Sequence, residues 1–272
     1  MCEFELKDNY LAQDLVLLVE RLRDEVRGCP WDRVQTHMSI RQNFIEEVYE
    51  AAEAIDRNDS AMLMEELGDV LLQIVLHAQM EKERGVFSFD DVTDVICKKM
   101  ISRHPHIFGK DNADTSERVL VNWEAVKRLE KEQKTGIDAV DDVPKSLPTL
   151  MRSQKVQKRA AYVGFDYPDV EMALDDLESE AAELRKALHS DGDVFEEVGD
   201  LIFAAVNVAR LSGKDADLAA ERACDKFTER FRLVETMASE QGIDMKTCGI
   251  KTLNELWSKA KEALIIADKL HE

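Results

Sequence analysis

The chain has 272 residues, enough for two domains that each bury a core, and its 36 Lys and Arg against 56 Asp and Glu leave a formal net charge of −20. That balance excludes DNA or RNA as the main partner, because nucleic-acid binding draws on a basic stripe that releases counterions. No stretch approaches the roughly 18 consecutive apolar residues of a membrane span, whereas a nucleotide stays within reach wherever a divalent cation bridges carboxylates to phosphates.

Apolar residues recur at helical spacing from the start: Leu11, Leu15, Leu18 and Leu22 come first, and GCPWD from Gly28 breaks the pattern. Phe44, Val48, Ala51 and Ile55 mark a second helix, closed by RNDS from Arg57; Leu67, Leu71, Ile74 and Ala78 mark a third. Further breaks fall at ERGVFSFD from Glu83, RHPHIFGKDNADTS from Arg103 and GIDAVDDVPKSLP from Gly136. Runs of alternating β-branched residues are missing, so the expected class is all-α. The expected organisation is a first repeat over 1–135, a linker over 136–148 and a second repeat over 149–272. The five cysteines are scattered and odd in number, form no CxxC or Cys/His cluster, and read as reduced thiols. The start, MCEFELKDNY, has no basic or apolar leader region, and the expected location is the cytoplasm.

The halves repeat in order. Glu47 and Glu50 answer to Glu180 and Glu183, a shift of 133 residues, and Glu66 and Asp69 answer to Glu197 and Asp200, a shift of 131. Lys99 and Arg103 correspond to Lys226 and Arg230; Trp123 and Lys127 correspond to Trp257 and Lys261; CPWD around Trp31 corresponds to VGFD around Phe165. One such match is chance among helices, but several polar positions recurring in order point to duplication.

Residues three apart on a helix share a face, roughly 5–6 Å between Cβ atoms. Glu47 with Glu50, and Glu66 with Asp69, therefore converge if their helices are antiparallel neighbours. A lone ExxE is most often a solvated acidic face. Here Leu63, Leu67, Val70, Leu71 and Leu72 surround the second pair, which predicts a helix buried on much of its circumference. Gly68 costs roughly 1 kcal/mol relative to Ala unless it permits close packing or backbone approach. Buried carboxylates need protons or a cation, and an oxygen-only donor set selects Mg²⁺, Mn²⁺ or Ca²⁺. His77, two turns beyond Asp69, reads as a core or interface histidine rather than a ligand. Because Mg²⁺ usually bridges to substrate phosphates, the cluster asks for a phosphorylated ligand. Lys226 with Arg230, and Trp257 with Lys261, offer cations for phosphate oxygens and an aromatic for a base or for packing.

The pattern EEVYEAAEAI from Glu46 and EELGDVLLQIVLHAQ from Glu65, with GCPWDRVQTH, SRHPHIFG and EEVGDLIFAAVNVARL elsewhere, resembles the all-α nucleoside triphosphate pyrophosphohydrolases, a group that includes dimeric dUTPases and MazG, and most closely two-repeat MazG. The resemblance implies an intertwined homodimer of helical repeats that hydrolyses nucleoside triphosphates of broad specificity to monophosphate and pyrophosphate with Mg²⁺, Mn²⁺ being a substitute. It places metal binding and catalysis on Glu180, Glu183, Glu197 and Asp200, with Glu47, Glu50, Glu66 and Asp69 matching in the first half. Nucleotide contacts fall to Lys226, Arg230, Trp257 and Lys261, and by repetition to Lys99, Arg103, Trp123 and Lys127. The motif begins with adjacent glutamates, Glu46 and Glu47, but Ser179 precedes Glu180. If the leading glutamate activates water, the first half is the better catalyst; family precedent favours the second. Two alternatives stay open: a narrow dUTPase or dCTPase, and a regulatory dimer that binds metal or nucleotide without turnover and acts on a protein partner.

Overall fold

A computed structural model describes residues 4–109, 115, 119, 126 and 135–271, with the side chains of 267–271 outside the description. Among the described residues the regular structure is helical throughout, with no strand. No helix is long and apolar enough to cross a membrane. The chain divides into two compact units, Met1–Lys127 and Arg128–Glu272.

The first unit holds α1 (Ala12–Leu22), a 3-10 turn (Asp32–Val34), α2 (Arg41–Asp56), α3 (Ser60–Glu83), α4 (Phe89–Arg103) and the single turn α5 (Pro105–Phe108). Asn58 takes the left-handed conformation at φ 52, which Asn tolerates better than most residues, and so lets the chain reverse between α2 and α3. Asp59 then caps α3 by accepting from the main-chain N–H groups of Ala61 and Met62, satisfying donors that the helix leaves unpaired. Val19, Ile40, Val75, Leu76 and Met80 form the core, with Leu15, Leu71, Leu72 and Phe89 packed around it. Arg23, 8% exposed, ties α1 to α3 by two 2.8 Å bonds to Glu83 and holds the turn by donating to the Asp32 carbonyl at 2.6 Å.

The second unit holds α6 (Gly136–Asp141), α7 (Thr149–Ala161), α8 (Val170–Ala187), α9 (Val194–Leu211), α10 (Ala216–Glu240) and α11 (Gly249–His271). The segment expected as a linker over 136–148 is not an open connection. Thr135 caps α6, Ala139 and Val143 are buried, and α6 packs on α7. Within this helix Ala139 is buried while Asp138, Asp141 and also Ile137 are exposed, a periodicity too short to read against Pro144 and Pro148. Val234, Ala238, Leu256 and Ala260 make the core between α10 and α11.

Burial of α3 departs from expectation. Its fully buried stretch begins at Gln73, while Met64 and Leu67 are exposed and Glu66 and Asp69 are half-buried. A Cβ at Gly68, or at Gly199 in α9, would meet nothing within 4 Å, so close packing inside the chain accounts for neither glycine. The apolar run at the start of α3 is a surface of the unit rather than its interior.

Candidate metal and nucleotide site

Two helix pairs, α2 with α3 and α8 with α9, carry the carboxylates. In the first unit Glu47, Glu66 and Asp69 each bring a carboxylate oxygen within 4.8 Å of the others. Burial, then repulsion from Asp69 and Glu50, raises the Glu47 carboxyl above its ordinary range, and a hydrogen bond with Glu50 adds to the shift. Glu66 is raised likewise, by burial first and then by Glu50 and its acidic neighbours. All four expected residues thus face one another, with Glu50 at the edge of the trio. Glu46 stands apart from them: it is exposed and accepts from Gln42 Nε2 at 3.2 Å.

In the second unit Glu180, Glu183 and Glu197 converge within the same 4.8 Å limit. The Glu180 carboxyl is raised by burial, then by Glu183, Asp200, Asp176 and Glu197, which puts Asp200 on the same face. Asp193 caps α9 by accepting from Phe195 and Glu196 main-chain N–H groups, fixing the first turn from which Glu197 projects. Ser179 donates to Glu183 Oε1 across 3.4 Å, so the residue that replaces the leading glutamate touches the cluster directly.

The donor set fits a hard divalent cation. Every ligand is a carboxylate oxygen, as Mg²⁺ and Mn²⁺ prefer. Burial first and then the neighbouring carboxylates raise the Glu47 and Glu180 carboxyls, and a bound cation would offset that repulsion.

The cations are arranged less symmetrically. Arg230 lies with its Cζ 5.8 Å from the Trp257 ring centroid, and Phe227 packs on the same indole at 5.1 Å. The Arg230 Nε is buried without a hydrogen-bond partner among the described residues. Lys226 and Lys261 are exposed. No ion pair among the described residues joins Lys226, Arg230 or Lys261 to the carboxylates of α8 and α9. In the first unit Lys99 is half-buried and Arg103 is 7% exposed; Trp123 and Lys127 lie outside the described residues.

A cavity of about 500 Å³ in the second unit was not foreseen. Asp176 and Tyr167 line it; the Tyr167 hydroxyl bonds Asp176, which with burial and the charges of Asp176 and Glu180 raises its pKa above the ordinary value. Arg210 forks onto both carboxylate oxygens of Asp166 and donates to Asn207 Oδ1. Its signal in the sequence is VGFD, the counterpart of CPWD, of which Gly164, Phe165 and Asp166 line the cavity. His77 is a packing residue: its Nδ1 lies 2.7 Å from His37 Nδ1, the rings stack at 5.0 Å, and Phe44 covers it at 5.5 Å.

Residues 35–108 match the MazG nucleotide pyrophosphohydrolase domain, a span that contains the first carboxylate cluster. The chain is 43% identical over 251 residues to the Nucleoside triphosphate pyrophosphohydrolase of Escherichia coli K12, covering 91% of this chain and 95% of that one. It is 40% identical to the Nucleoside triphosphate pyrophosphohydrolase/pyrophosphatase MazG of Thermotoga maritima over 92% of this chain and 96% of that one. A third relative, the Nucleoside triphosphate pyrophosphohydrolase of Mycolicibacterium smegmatis, is 37% identical over 56% of this chain and 46% of its own length.

Proposed function

The chain belongs to the MazG family of nucleoside triphosphate pyrophosphohydrolases, and on that footing we propose that it hydrolyses nucleoside triphosphates to the monophosphate and pyrophosphate with Mg²⁺ held in its carboxylate clusters. The observation that carries the site assignment is the convergence of Glu180, Glu183 and Glu197 within 4.8 Å, repeated by Glu47, Glu66 and Asp69. Bound Mg²⁺ supplies neutralisation of phosphate charge and acidification of a coordinated water.

The protein's own groups do the rest. Glu180, Glu183, Glu197 and Asp200 would hold the cation, which would supply a fixed point for the triphosphate. A carboxylate oxygen of this set that is free of the ion accepts the proton of the attacking water. Lys226, Arg230 and Lys261 receive the leaving pyrophosphate, and the unpaired Arg230 Nε is a donor ready for a phosphate oxygen. Glu47, Glu50, Glu66 and Asp69 form a second site of the same kind, with Lys99, Arg103, Trp123 and Lys127 as its nucleotide contacts. Mn²⁺ substitutes for Mg²⁺ on the same oxygen donors.

The reading extends to a homodimer. Phe195, 89% exposed, and Ile202 on α9, with Met64 and Leu67 on α3, leave large apolar side chains uncovered beside both clusters, and such patches mark association surfaces. Resolving the products of ATP, GTP, CTP and UTP with Mg²⁺ by ³¹P NMR tests the reaction: monophosphate with pyrophosphate supports it, and diphosphate with free phosphate as first products contradicts it.

A further inference from the structure

One buried amide in the second unit bears on which bases are accepted. Gln157 on α7 is 7% exposed, and its Nε2 donates to the Phe203 carbonyl on α9 at 2.8 Å. A carbonyl can only accept, so the amide nitrogen must occupy that end and Oε1 the other. This Oε1 is buried and has no hydrogen-bond partner among the described residues, while Gln157 lines the cavity of about 500 Å³. Buried acceptors are nearly always paired, so an exception calls for a missing donor.

The rest of the cavity says what kind of donor. Its walls include the apolar side chains of Val156, Phe165 and Phe203. Arg210 commits the carbonyl of Asn207, leaving the Asn207 amide NH₂ as the end that can donate to a ligand. Asp176 and Tyr167 line the cavity and both lie close enough to Glu180 to interact with it electrostatically, so the cavity adjoins the carboxylate cluster. Apolar walls with one fixed acceptor and one donor, beside a phosphate-handling site, suit a flat heterocycle with polar edges.

We propose that Gln157 determines base specificity in the second unit, its Oε1 accepting a hydrogen bond from an N–H of the nucleobase. The proposal rests on the pyrophosphohydrolase reading above. Adenine, guanine, cytosine and uracil each carry at least one such N–H, so a single acceptor admits all of them. A base with no N–H strips water from Oε1 and leaves it unpaired, and a site built to pair a polar group discriminates strongly against a ligand that cannot pair it.

The test compares kcat/KM for ATP and for purine riboside triphosphate, which has hydrogen in place of the amino group, by pyrophosphate release with Mg²⁺. It uses the full chain and its Glu47→Ala variant, in which the second cluster works alone. The proposal expects Glu47→Ala to prefer ATP by about tenfold or more, and Gln157→Met in that background to bring the ratio within about threefold by lowering the ATP value. A ratio near one with Gln157 in place overturns the proposal, as does a ratio that Gln157→Met leaves unchanged. If Gln157→Met fails to fold, UTP against N3-methyluridine triphosphate repeats the comparison without it, and equal values overturn the proposal. Release by the native chain but not by Glu47→Ala places turnover in the first unit and also overturns it; absence of release from both removes the pyrophosphohydrolase reading itself.

Discussion

Ser179 donates its hydroxyl to Glu183 Oε1 across 3.4 Å, while Glu46, the glutamate that leads the first motif, accepts from Gln42 outside the Glu47, Glu66 and Asp69 trio. The two residues fill the same place in the repeat and do different work. Adjacent helix positions point about 100° apart, so the leading position flanks the cluster in both units without joining it. A long, exposed hydrogen bond contributes at most about 0.5 kcal/mol. Ser179→Ala is therefore expected to leave the Mg²⁺ dependence of turnover within about threefold of the parent in steady-state assays. A loss of a hundredfold would make Ser179 part of the reaction.

The repulsion within each cluster gives metal removal a definite sign. In metal-free buffer with a chelator, Glu180→Gln removes one of several converging charges, each like-charge pair costing about 0.2–0.5 kcal/mol, and is expected to raise the melting temperature by roughly 1–2 °C. With Mg²⁺ the order reverses, because the variant loses a ligand and the stabilisation that binding supplies. Differential scanning calorimetry with and without the ion reads both arms. A variant that melts lower than the parent in both buffers would contradict the account of Glu180 as a repelled ligand.

The cap of α9 links backbone to site. Asp193 satisfies the Phe195 and Glu196 N–H groups, and Asp193→Ala is expected to cost about 1 kcal/mol, concentrated in the turn that presents Glu197. Amide exchange at the start of α9 should quicken while α10 and α11 stay protected. The Mg²⁺ concentration for half-maximal activity should rise in the same variant. Uniform acceleration across the second unit would place the cap's contribution elsewhere.

How much of this was legible depends on distance along the chain. The carboxylate clusters are readable because each needs only a three-residue spacing on one helix and the antiparallel pairing of neighbours, and the all-α class follows from helical periodicity between the breaks with no alternating β-branched runs. The burial of α3 is not legible: Leu63 and Leu67 look like core in sequence, but Leu67 is 53% exposed, since apolarity alone does not fix which face of a helix the fold covers. Gln157 gave no signal, because its role depends on where α7 crosses α9, 46 residues later at Phe203. The His37 and His77 contact spans 40 residues and was equally invisible. The helix at Gly136–Asp141 was hidden by the glycine and prolines that bound it.

That histidine pair predicts a pH dependence. His77 faces His37, whose Nε2 lies 2.7 Å from Glu81, and Glu81 in turn pairs with Arg84. Burial, then the neighbouring His37, holds the His77 pKa below its ordinary value of 6.5. As pH falls through 6.5 the unfolded chain takes up a proton at His77 that the folded chain resists, so stability contributed at neutral pH is lost toward lower pH. The first unit is expected to melt lower at acid pH than at neutral pH, and His77→Val, which installs the residue found at Val208 in the second repeat, should flatten that slope. An unchanged slope would assign the acid sensitivity to other groups.

The central claim, that converging carboxylates in both repeats hold the cation for nucleoside triphosphate hydrolysis, is tested most directly by pyrophosphate release from ATP with Mg²⁺ in four proteins: the parent, Glu47→Ala, Glu180→Ala and the double variant. The account predicts pyrophosphate release by the parent, by at least one single variant, and none above background by the double variant, with circular dichroism showing all four equally helical. Turnover that persists in the folded double variant would contradict it.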